Sequence, residues 1–189
     1  MKKKLLLLGL STGGPSHIKK ILSSFKTLNS HIIIAQHMKQ EVIPFFINDM
    51  SEQFAYNVTS IPSTLQSEYK VAFCEESCEI ESCSSERVSV KPTKEVAYYT
   101  PDINLLFHSA TKLCDKYDVC AILMTGIGSD GAEGLKALRE SGAMTIAESE
   151  SSAPVFGMPR IAQEIGAAQK VLSIDEIVTY LKRENYVLD

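Results

Sequence analysis

A serine stands at the apex of a glycine-rich turn near the start of the chain. The segment GLSTG at residues 9–13 places Ser11 directly behind the apolar run 5–8. These letters match G-x-S-x-G, the sharp strand-to-helix turn that holds a nucleophilic serine above the edge of a sheet. A serine hydroxyl is a poor nucleophile until a neighbouring base takes its proton. The turn therefore predicts a nucleophile whose base must come from elsewhere in the chain.

Two further loops supply the groups that such a serine needs. His37 follows a second apolar run, and Asp130 lies in GIGSDG at residues 126–131, which follows a third. Because the carboxyl ends of parallel strands share one edge of a sheet, we expect Ser11, His37 and Asp130 to lie together. His37 is the candidate general base, and Asp130 would orient its imidazole and stabilise the imidazolium. An aspartate in a glycine-rich turn is also common without any catalytic role.

The glycine loop also offers a backbone donor for an oxyanion. The N–H of Ile127 is the candidate donor, because a preorganised N–H stabilises the negative charge that develops during acyl transfer. Gly126 and Gly128 flank it and permit a close approach of the backbone to a substrate.

The same loop has an alternative interpretation as a dinucleotide-binding turn. GIGSDG is literally G-x-G-x-x-G, and Glu148 and Glu150 lie near the spacing of an acidic residue that binds ribose. Asp130 would however place a carboxylate against the pyrophosphate, where such loops present N–H groups. The interpretation also leaves the serine and the first histidine without a role, so it is the less favoured one.

Composition narrows the class of protein. The chain has 189 residues, 44% of them hydrophobic, with a formal net charge of -4. These values predict a single domain over residues 1–189 and argue against a general nucleic-acid binder, which needs a basic surface. The lysine-leucine start imitates a signal peptide, but its apolar part is too short, and nothing approaches the length of a membrane span. We therefore expect a cytoplasmic protein without membrane insertion.

The cysteines and the remaining histidines are predicted to have no catalytic role. Cys74, Cys78 and Cys83 cluster among five cysteines, without C-x-x-C spacing or a histidine nearby. That spacing predicts no zinc site and no other metal, and reduced thiols are expected in the cytosol. No cofactor is predicted. Three histidines fit ordinary positions in helical patterns or before a strand: His17, His31 and His108.

Helical and strand patterns alternate at both ends of the chain. Buried strands are predicted at residues 5–8, 32–35, 119–124, 144–147 and 170–172. Helices are predicted from Pro15, over 42–54, after a cap at Thr100-Pro101, over 132–139 and 159–165, and after a capping box at Ser173. The middle predicts short strands at 58–61, 69–73, 87–90 and 96–99, with a solvated hairpin or loop over 75–85. The pattern predicts an α/β, doubly wound, mainly parallel sheet (Rossmann-like) with an antiparallel excursion in the middle.

Four motifs together resemble the catalytic domain of the CheB family of chemotaxis receptor methylesterases. They are STGGP at 11–15, QHM at 36–38, TGIGSDGAEGL at 125–135 and GMP at 157–159, in family order. The resemblance spans residues 5 to about 180. It implies that Ser11, His37 and Asp130 form the family's triad. Thr12 and Met158, which belong to the first and last motifs, are predicted to contact substrate.

The resemblance also implies a reaction and a partner. Its members hydrolyse glutamyl methyl esters on the cytoplasmic methylation helices of chemoreceptors and release methanol, and some deamidate receptor glutamines. It implies no nucleic-acid partner and assigns no oligomeric state.

The chain departs from the family pattern at several positions. Ile127 replaces a methionine, Asn104 an aspartate and Ala153 a cysteine, and the family's P-G-x-x-Y-I-A-P-G stretch is barely visible between Gln66 and Tyr99. The phosphorylatable receiver domain that usually precedes the catalytic domain is not seen before the first strand, so activity without a phosphodonor is expected. A non-catalytic, receptor-binding protein that retains the fold is the alternative from another class.

Overall fold

The computed structural model describes residues 2–61, 63–65, 68, 70–84, 87–93 and 98–189, without the side chains of residues 63, 64 and 83. The strands are β1 (Lys3–Leu10), β2 (Thr27–Leu28), β3 (His31–Gln36), β4 (Val58–Ser60), β5 (Ser63–Leu65), β6 (Val71–Phe73), β7 (Cys78–Cys83), β8 (Val88–Pro92), β9 (Tyr117–Leu123), β10 (Met144–Glu148), β11 (Lys170–Leu172) and β12 (Val187–Leu188). The helices are α1 (Gly14–Ser23), α2 (Ile43–Gln53), α3 (Ile103–Ala110), α4 (Ala132–Glu140), α5 (Met158–Glu164) and α6 (Ile174–Arg183), with a short 3-10 helix at Thr111–Leu113. Across these ranges, no helix is long and apolar enough to cross a membrane.

Seven parallel strands form the main sheet, in the order β11-β10-β9-β1-β3-β6-β4. The chain starts in the centre with β1, builds one half outward through β3 and β6, and then returns to build the other half through β9, β10 and β11. The strand order therefore reverses beside β1. In open α/β sheets the crevice at such a reversal, beyond the carboxyl ends of the strands, is where ligands bind.

Helices cover both faces of this sheet, and the side chains of β1 show why the first strand is apolar from Leu5 to Leu8. Leu5 and Leu7 pack into one core with α3, α4 and α5. Leu6 and Leu8 pack into a second core with α1, α2 and α6. Because successive residues of a strand point to opposite faces, a strand buried on both sides must be apolar at every position. The doubly wound, mainly parallel fold predicted from the sequence is confirmed.

The middle of the chain leaves the main sheet and forms a small antiparallel sheet in the order β5-β8-β7. The prediction of a solvated hairpin or loop over residues 75–85 holds in part: β7 pairs with β8 as one arm of an antiparallel hairpin, but the strand is half-buried rather than solvated. Cys78 and Ile80 are buried, whereas Glu79 and Glu81 point outward, where each carboxylate pairs with Lys91. The acidic residues thus occupy one face of a half-buried strand, which a count of charges does not distinguish from a loop. The strand predicted at 96–99 lies partly outside the described residues.

The structure corrects the prediction of reduced thiols in the cysteine cluster. Cys74, which follows β6, and Cys78, which begins β7, form a disulfide with a Cα–Cα distance of 6.1 Å. The fold brings them together because the chain turns sharply between the two sheets. Cys114 and Cys120 are free, and burial raises the pKa of both thiols. Within the part of the chain that the structure describes, no group of three His, Cys, Asp or Glu side chains is placed to hold a metal ion.

Candidate active site

Three loops meet where β1, β3 and β9 end. The backbone N–H of His37 donates to the carbonyl of Leu10 (2.9 Å), and the N–H of Ser11 donates to the carbonyl of Thr125 (2.9 Å). The serine loop is therefore hydrogen-bonded, through its backbone, to the histidine loop on one side and to the glycine loop on the other. The structure thus brings Ser11, His37 and Asp130 to a single edge of the sheet, as their positions after parallel strands predict.

His37 and Asp130 form a hydrogen-bonded pair. The Nε2 atom of His37 lies 2.7 Å from Oδ2 of Asp130, and the two side chains are 11% and 2% exposed. The carboxylate also accepts backbone N–H bonds from Ile103 (2.9 Å) and Asn104 (3.0 Å). Burial acts to raise the pKa of Asp130, but the hydrogen bonds from His37 and from the two backbone groups outweigh it and hold the pKa below its usual value. Because Nε2 faces the carboxylate, Nδ1 is the ring nitrogen that remains to exchange a proton.

The two backbone donors to Asp130 come from the first turn of α3. This helix begins at Ile103, and its N-cap is Asp102, whose carboxylate accepts from the N–H of Leu105 (2.7 Å). The prediction of a cap at Thr100-Pro101 was therefore wrong by two residues, since the carboxylate of Asp102 makes the capping bond. Burial raises the pKa of Asp102. The N–H groups of Ile103 and Asn104 and the positive end of the helix dipole favour the ionised form of Asp130.

Asn104 connects this helix to the glycine loop. Its backbone N–H binds Asp130, and its side-chain oxygen accepts from the N–H of Gly134 in α4 (2.8 Å). Gly134 has no space for a side chain there, because a Cβ would lie 2.9 Å from the Asn104 carbonyl. The asparagine thus holds α3 and α4 together at the point where the aspartate leaves the loop.

The serine turn is held by a side chain that the sequence analysis did not single out. Nε2 of Gln36 donates to the carbonyls of both Ser11 and His37, each at 2.9 Å. A Cβ on Gly14 would collide with the oxygen of this amide, and Gly13 caps α1 with a φ of +87°. Gln36 therefore ties the two loops to each other. The available signal was a buried polar residue at the end of an apolar strand, directly before the histidine.

Tyr99 covers the imidazole on its other side. The rings of Tyr99 and His37 are stacked, with centroids 4.9 Å apart and an angle of 3° between their planes. Across the described residues, no hydrogen bond involves the hydroxyl of Ser11, which is half-buried. The ring of Tyr99 and the carboxylate of Asp130 thus orient the imidazole. The serine hydroxyl remains available to a substrate.

The glycine loop packs closely behind the serine. A Cβ on Gly126 would lie 2.6 Å from the Cβ of Ser11 and would collide with the sulfur of Met158. The carbonyl of Gly126 accepts from the N–H groups of Gly157 (3.0 Å) and Met158 (2.9 Å), which fixes its peptide. Ile127 follows with a side chain that is 65% exposed, and its N–H has no acceptor among the residues described. A free N–H beside the serine is the geometry that an oxyanion requires.

We expect substitutions in this loop to act through the backbone. Ile127→Met should retain most of the activity predicted from the sequence, because the side chain is exposed and the predicted donor is the backbone N–H. Gly126→Ala should lower kcat by up to about 100-fold, since its Cβ would displace Ser11 or the loop. Gly128 has a φ of +85°, so Gly128→Ala should carry a backbone cost of about 1–2 kcal/mol and a comparable defect. Steady-state kinetics on the folded variants would check this, and equal tolerance at all three positions would contradict it.

The two predicted substrate contacts differ in exposure. Thr12 is exposed next to the serine, and its carbonyl accepts from the hydroxyl of Thr125 (2.7 Å). Met158 is fully buried beneath Gly126. Thr12 is therefore placed to meet a substrate, whereas Met158 supports the loop from inside.

The dinucleotide interpretation finds no support in this geometry. Glu148, one of the two candidate ribose ligands, is fully buried and accepts from the backbone N–H of Thr125 (2.9 Å). Asp130 is occupied by His37 and the first turn of α3. Glu148 and Asp130 are therefore not free for a nucleotide, and Glu150 is exposed.

The fold and the site together define a class: an α/β protein whose doubly wound sheet holds a serine turn and a hydrogen-bonded histidine–aspartate pair at its carboxyl edge. The family profile described as CheB methylesterase matches residues 6–181. The chain belongs to the CheB methylesterase family.

Individual relatives agree with this membership. The chain is 32% identical over 182 residues to a protein-glutamate methylesterase/protein-glutamine glutaminase of Carboxydothermus hydrogenoformans, covering 93% of this chain and 51% of that protein. A counterpart from Leptospira interrogans is 34% identical over 180 residues, with 93% and 51% covered. The chain thus spans about half the length of the curated relatives it matches. The crystal structure of the Thermotoga maritima CheB methylesterase catalytic domain has the same fold, with a TM-score of 0.82, 21% identity and coverage of 96% and 98%.

Proposed function

We propose that this chain hydrolyses glutamyl methyl esters on the cytoplasmic methylation helices of chemotaxis receptors. The observation that carries the proposal is the His37–Asp130 pair, 2.7 Å apart and oriented by α3, at the edge of the sheet that also holds Ser11. The substrate class comes from the relatives, which are named protein-glutamate methylesterases. Residues 1–189 would act as one catalytic domain in the cytoplasm, where these helices lie.

The first half of the reaction forms a covalent ester with the protein. Ser11 Oγ attacks the carbonyl carbon of the methyl ester, and Nδ1 of His37 takes the hydroxyl proton. Asp130 stabilises the imidazolium across its bond to Nε2. The N–H of Ile127 donates to the oxyanion of the tetrahedral intermediate. The intermediate collapses by breaking the bond to the methoxy oxygen, which receives the proton from His37 and leaves as methanol.

The second half restores the serine. His37, now neutral, takes a proton from a water molecule that attacks the acyl carbon, and returns it to Ser11 Oγ as that bond breaks. The product is a free receptor glutamate. A glutamine side chain entering the same site would lose ammonia in place of methanol by the same steps, and the relatives' names include glutaminase. We therefore include deamidation of receptor glutamines in the proposal.

The decisive measurement is methanol release from receptor membranes that carry methylated glutamates. The wild-type protein should release methanol and react with a fluorophosphonate probe, and Ser11→Ala should do neither. Ser23→Ala, an exposed serine at the end of α1, is the matched control and should behave as wild type.

A folded protein that binds receptor membranes but neither releases methanol nor reacts with the probe would contradict the proposal. That result would favour the alternative of a non-catalytic receptor-binding protein with the same fold.

A further inference from the structure

A second buried histidine–carboxylate pair lies behind the serine turn. Nε2 of His17 in α1 is 2.7 Å from Oε1 of Glu148 at the end of β10, and the two side chains are 10% and 0% exposed. The mechanism proposed above uses neither residue. Charged or polar side chains buried this deeply are costly unless they are paired, so their presence at this point calls for a reason.

Both oxygens of the Glu148 carboxylate accept hydrogen bonds. Oε1 receives His17 and the hydroxyl of Ser152 (2.7 Å), and Oε2 receives the backbone N–H of Thr125 (2.9 Å). A backbone N–H can only donate, so Oε2 must act as an acceptor. The pair is therefore built to hold one particular peptide group of the catalytic loop.

Thr125 passes this constraint to the nucleophile. Its carbonyl accepts from the N–H of Ser11 (2.9 Å), and its hydroxyl donates to the carbonyl of Thr12 (2.7 Å) and accepts from the N–H of Val155 (3.0 Å). The next residue is Gly126, whose carbonyl accepts from the N–H groups of Gly157 and Met158 at the start of α5. Thr125 thus lies between the backbone of the serine and the oxyanion donor at Ile127.

We propose that Glu148 and His17 are positioning residues for this esterase. Glu148 fixes Thr125, and through it the relative placement of Ser11 and the N–H of Ile127, while His17 holds and compensates the buried carboxylate. The inference rests on the proposed function, because it concerns the geometry of the same reaction. Glu148 has two separate properties in this proposal. It accepts a hydrogen bond from Thr125, which the catalytic loop needs, and it carries a buried charge, which His17 must compensate.

These two properties predict different outcomes for different substitutions. His17→Ala leaves a buried carboxylate without its partner and should lower kcat by up to about 100-fold, with KM changed by less than about threefold. Adding Glu148→Gln to His17→Ala should restore most of kcat, because the amide oxygen still accepts from Thr125 and no charge remains. Adding Glu148→Ala should not restore it, because the acceptor is lost.

Lys20→Ala is the matched control. Lys20 lies on the same helix as His17 and pairs with Asp175 of α6 at 2.7 Å, but both side chains are exposed. Loss of this surface pair should leave kcat and KM unchanged.

A second readout is independent of turnover. The amide proton resonances of Thr125 and Ser11, followed by NMR together with their hydrogen exchange, should change in His17→Ala. They should return toward wild type in His17→Ala with Glu148→Gln, but not with Glu148→Ala. If His17→Ala fails to fold, the comparison of the two double variants decides the question.

The inference is overturned if the two double variants have equal kcat, or if Thr125 and Ser11 resonances are the same in both. A loss confined to thermal stability, with kcat unchanged in every folded variant, would assign the pair to the core alone. If the wild type reacts with a fluorophosphonate but releases no methanol, the substrate assignment fails, and the labelling rates of the same variants test the positioning role. If the wild type shows neither activity, both proposals fail.

Discussion

Replacing Ser11 with alanine should reduce methanol release from methylated receptors to the background rate while the protein stays folded. The hydroxyl supplies the attacking oxygen, and no other group at the site replaces it in the steps proposed. His37→Ala should cost about as much, since without a base the serine is not activated. The double variant should be no worse than either single variant, because the two residues act in the same step, and in a protease such losses reach about 10⁶-fold in kcat.

The measurement is the kcat of the three variants on receptor membranes, with far-ultraviolet circular dichroism to establish folding. Additive losses, in which the double variant falls by the product of the two single effects, would show that the serine and the histidine do not act as a unit. Near-normal turnover by folded Ser11→Ala would remove the serine from the mechanism.

Asp130→Asn should lower kcat by up to about 10⁴-fold and leave the fold intact. The amide of asparagine can keep one backbone N–H bond from the first turn of α3, but it can no longer stabilise an imidazolium. Its NH₂ group would also favour the tautomer of His37 that presents Nε2 as an acceptor, and that tautomer carries its proton on Nδ1. The nitrogen proposed to take the serine proton would then already be protonated. Kinetics at several pH values would measure the loss, and a decrease in kcat below tenfold would contradict the assigned role.

The pH dependence of the free energy of unfolding provides an independent test of the charge on Asp130. The pKa of Asp130 is lower in the folded state than its usual value of about 3.9, so its ionised form contributes stability at neutral pH. That contribution is present above the unfolded pKa and is lost as the pH falls through the folded pKa. The difference in the free energy of unfolding between wild type and Asp130→Asn should therefore shrink on acidification below about pH 4. A difference that grows toward acid pH would mean that the carboxyl is not held in its charged form.

The strands of the two sheets show how much of the fold the sequence could predict. The apolar runs of β1, β3 and β9 predicted the centre of the sheet, because strands that are covered on both faces are mostly apolar. The capping box at Ser173 predicted the start of α6, and both of its reciprocal hydrogen bonds are present. In β7, however, Cys78 and Ile80 alternate with glutamates that face solvent, and the charges suggested a solvated hairpin or loop rather than a half-buried strand.

Several parts of the site could not be read in the same way, because they depend on contacts between distant residues. The sequence placed the N-cap of α3 two residues early, because the hydrogen bond from Leu105 to Asp102 could not be predicted. It also could not show that the first N–H groups of α3 would point at Asp130. The role of Gln36 follows from a side chain that reaches two carbonyls at once. The stacking of Tyr99 on His37 joins the irregular middle of the chain to the end of β3.

The sequence by itself determined the family, the alternation of strands with helices and the three loops that carry Ser11, His37 and Asp130, because these follow from local motifs and local patterns of polarity and glycine. Only the tertiary structure decided which partners each of these residues has. His17 and Glu148 are 131 positions apart in the chain, and neither stands in a motif that marks it as a partner of the other. Their pairing follows from the fold, which places α1 and β10 in the same core on one face of the sheet. Burial at that point makes the hydrogen bonds of Glu148 to His17 and Thr125 necessary, since a carboxylate removed from water must be satisfied by the protein.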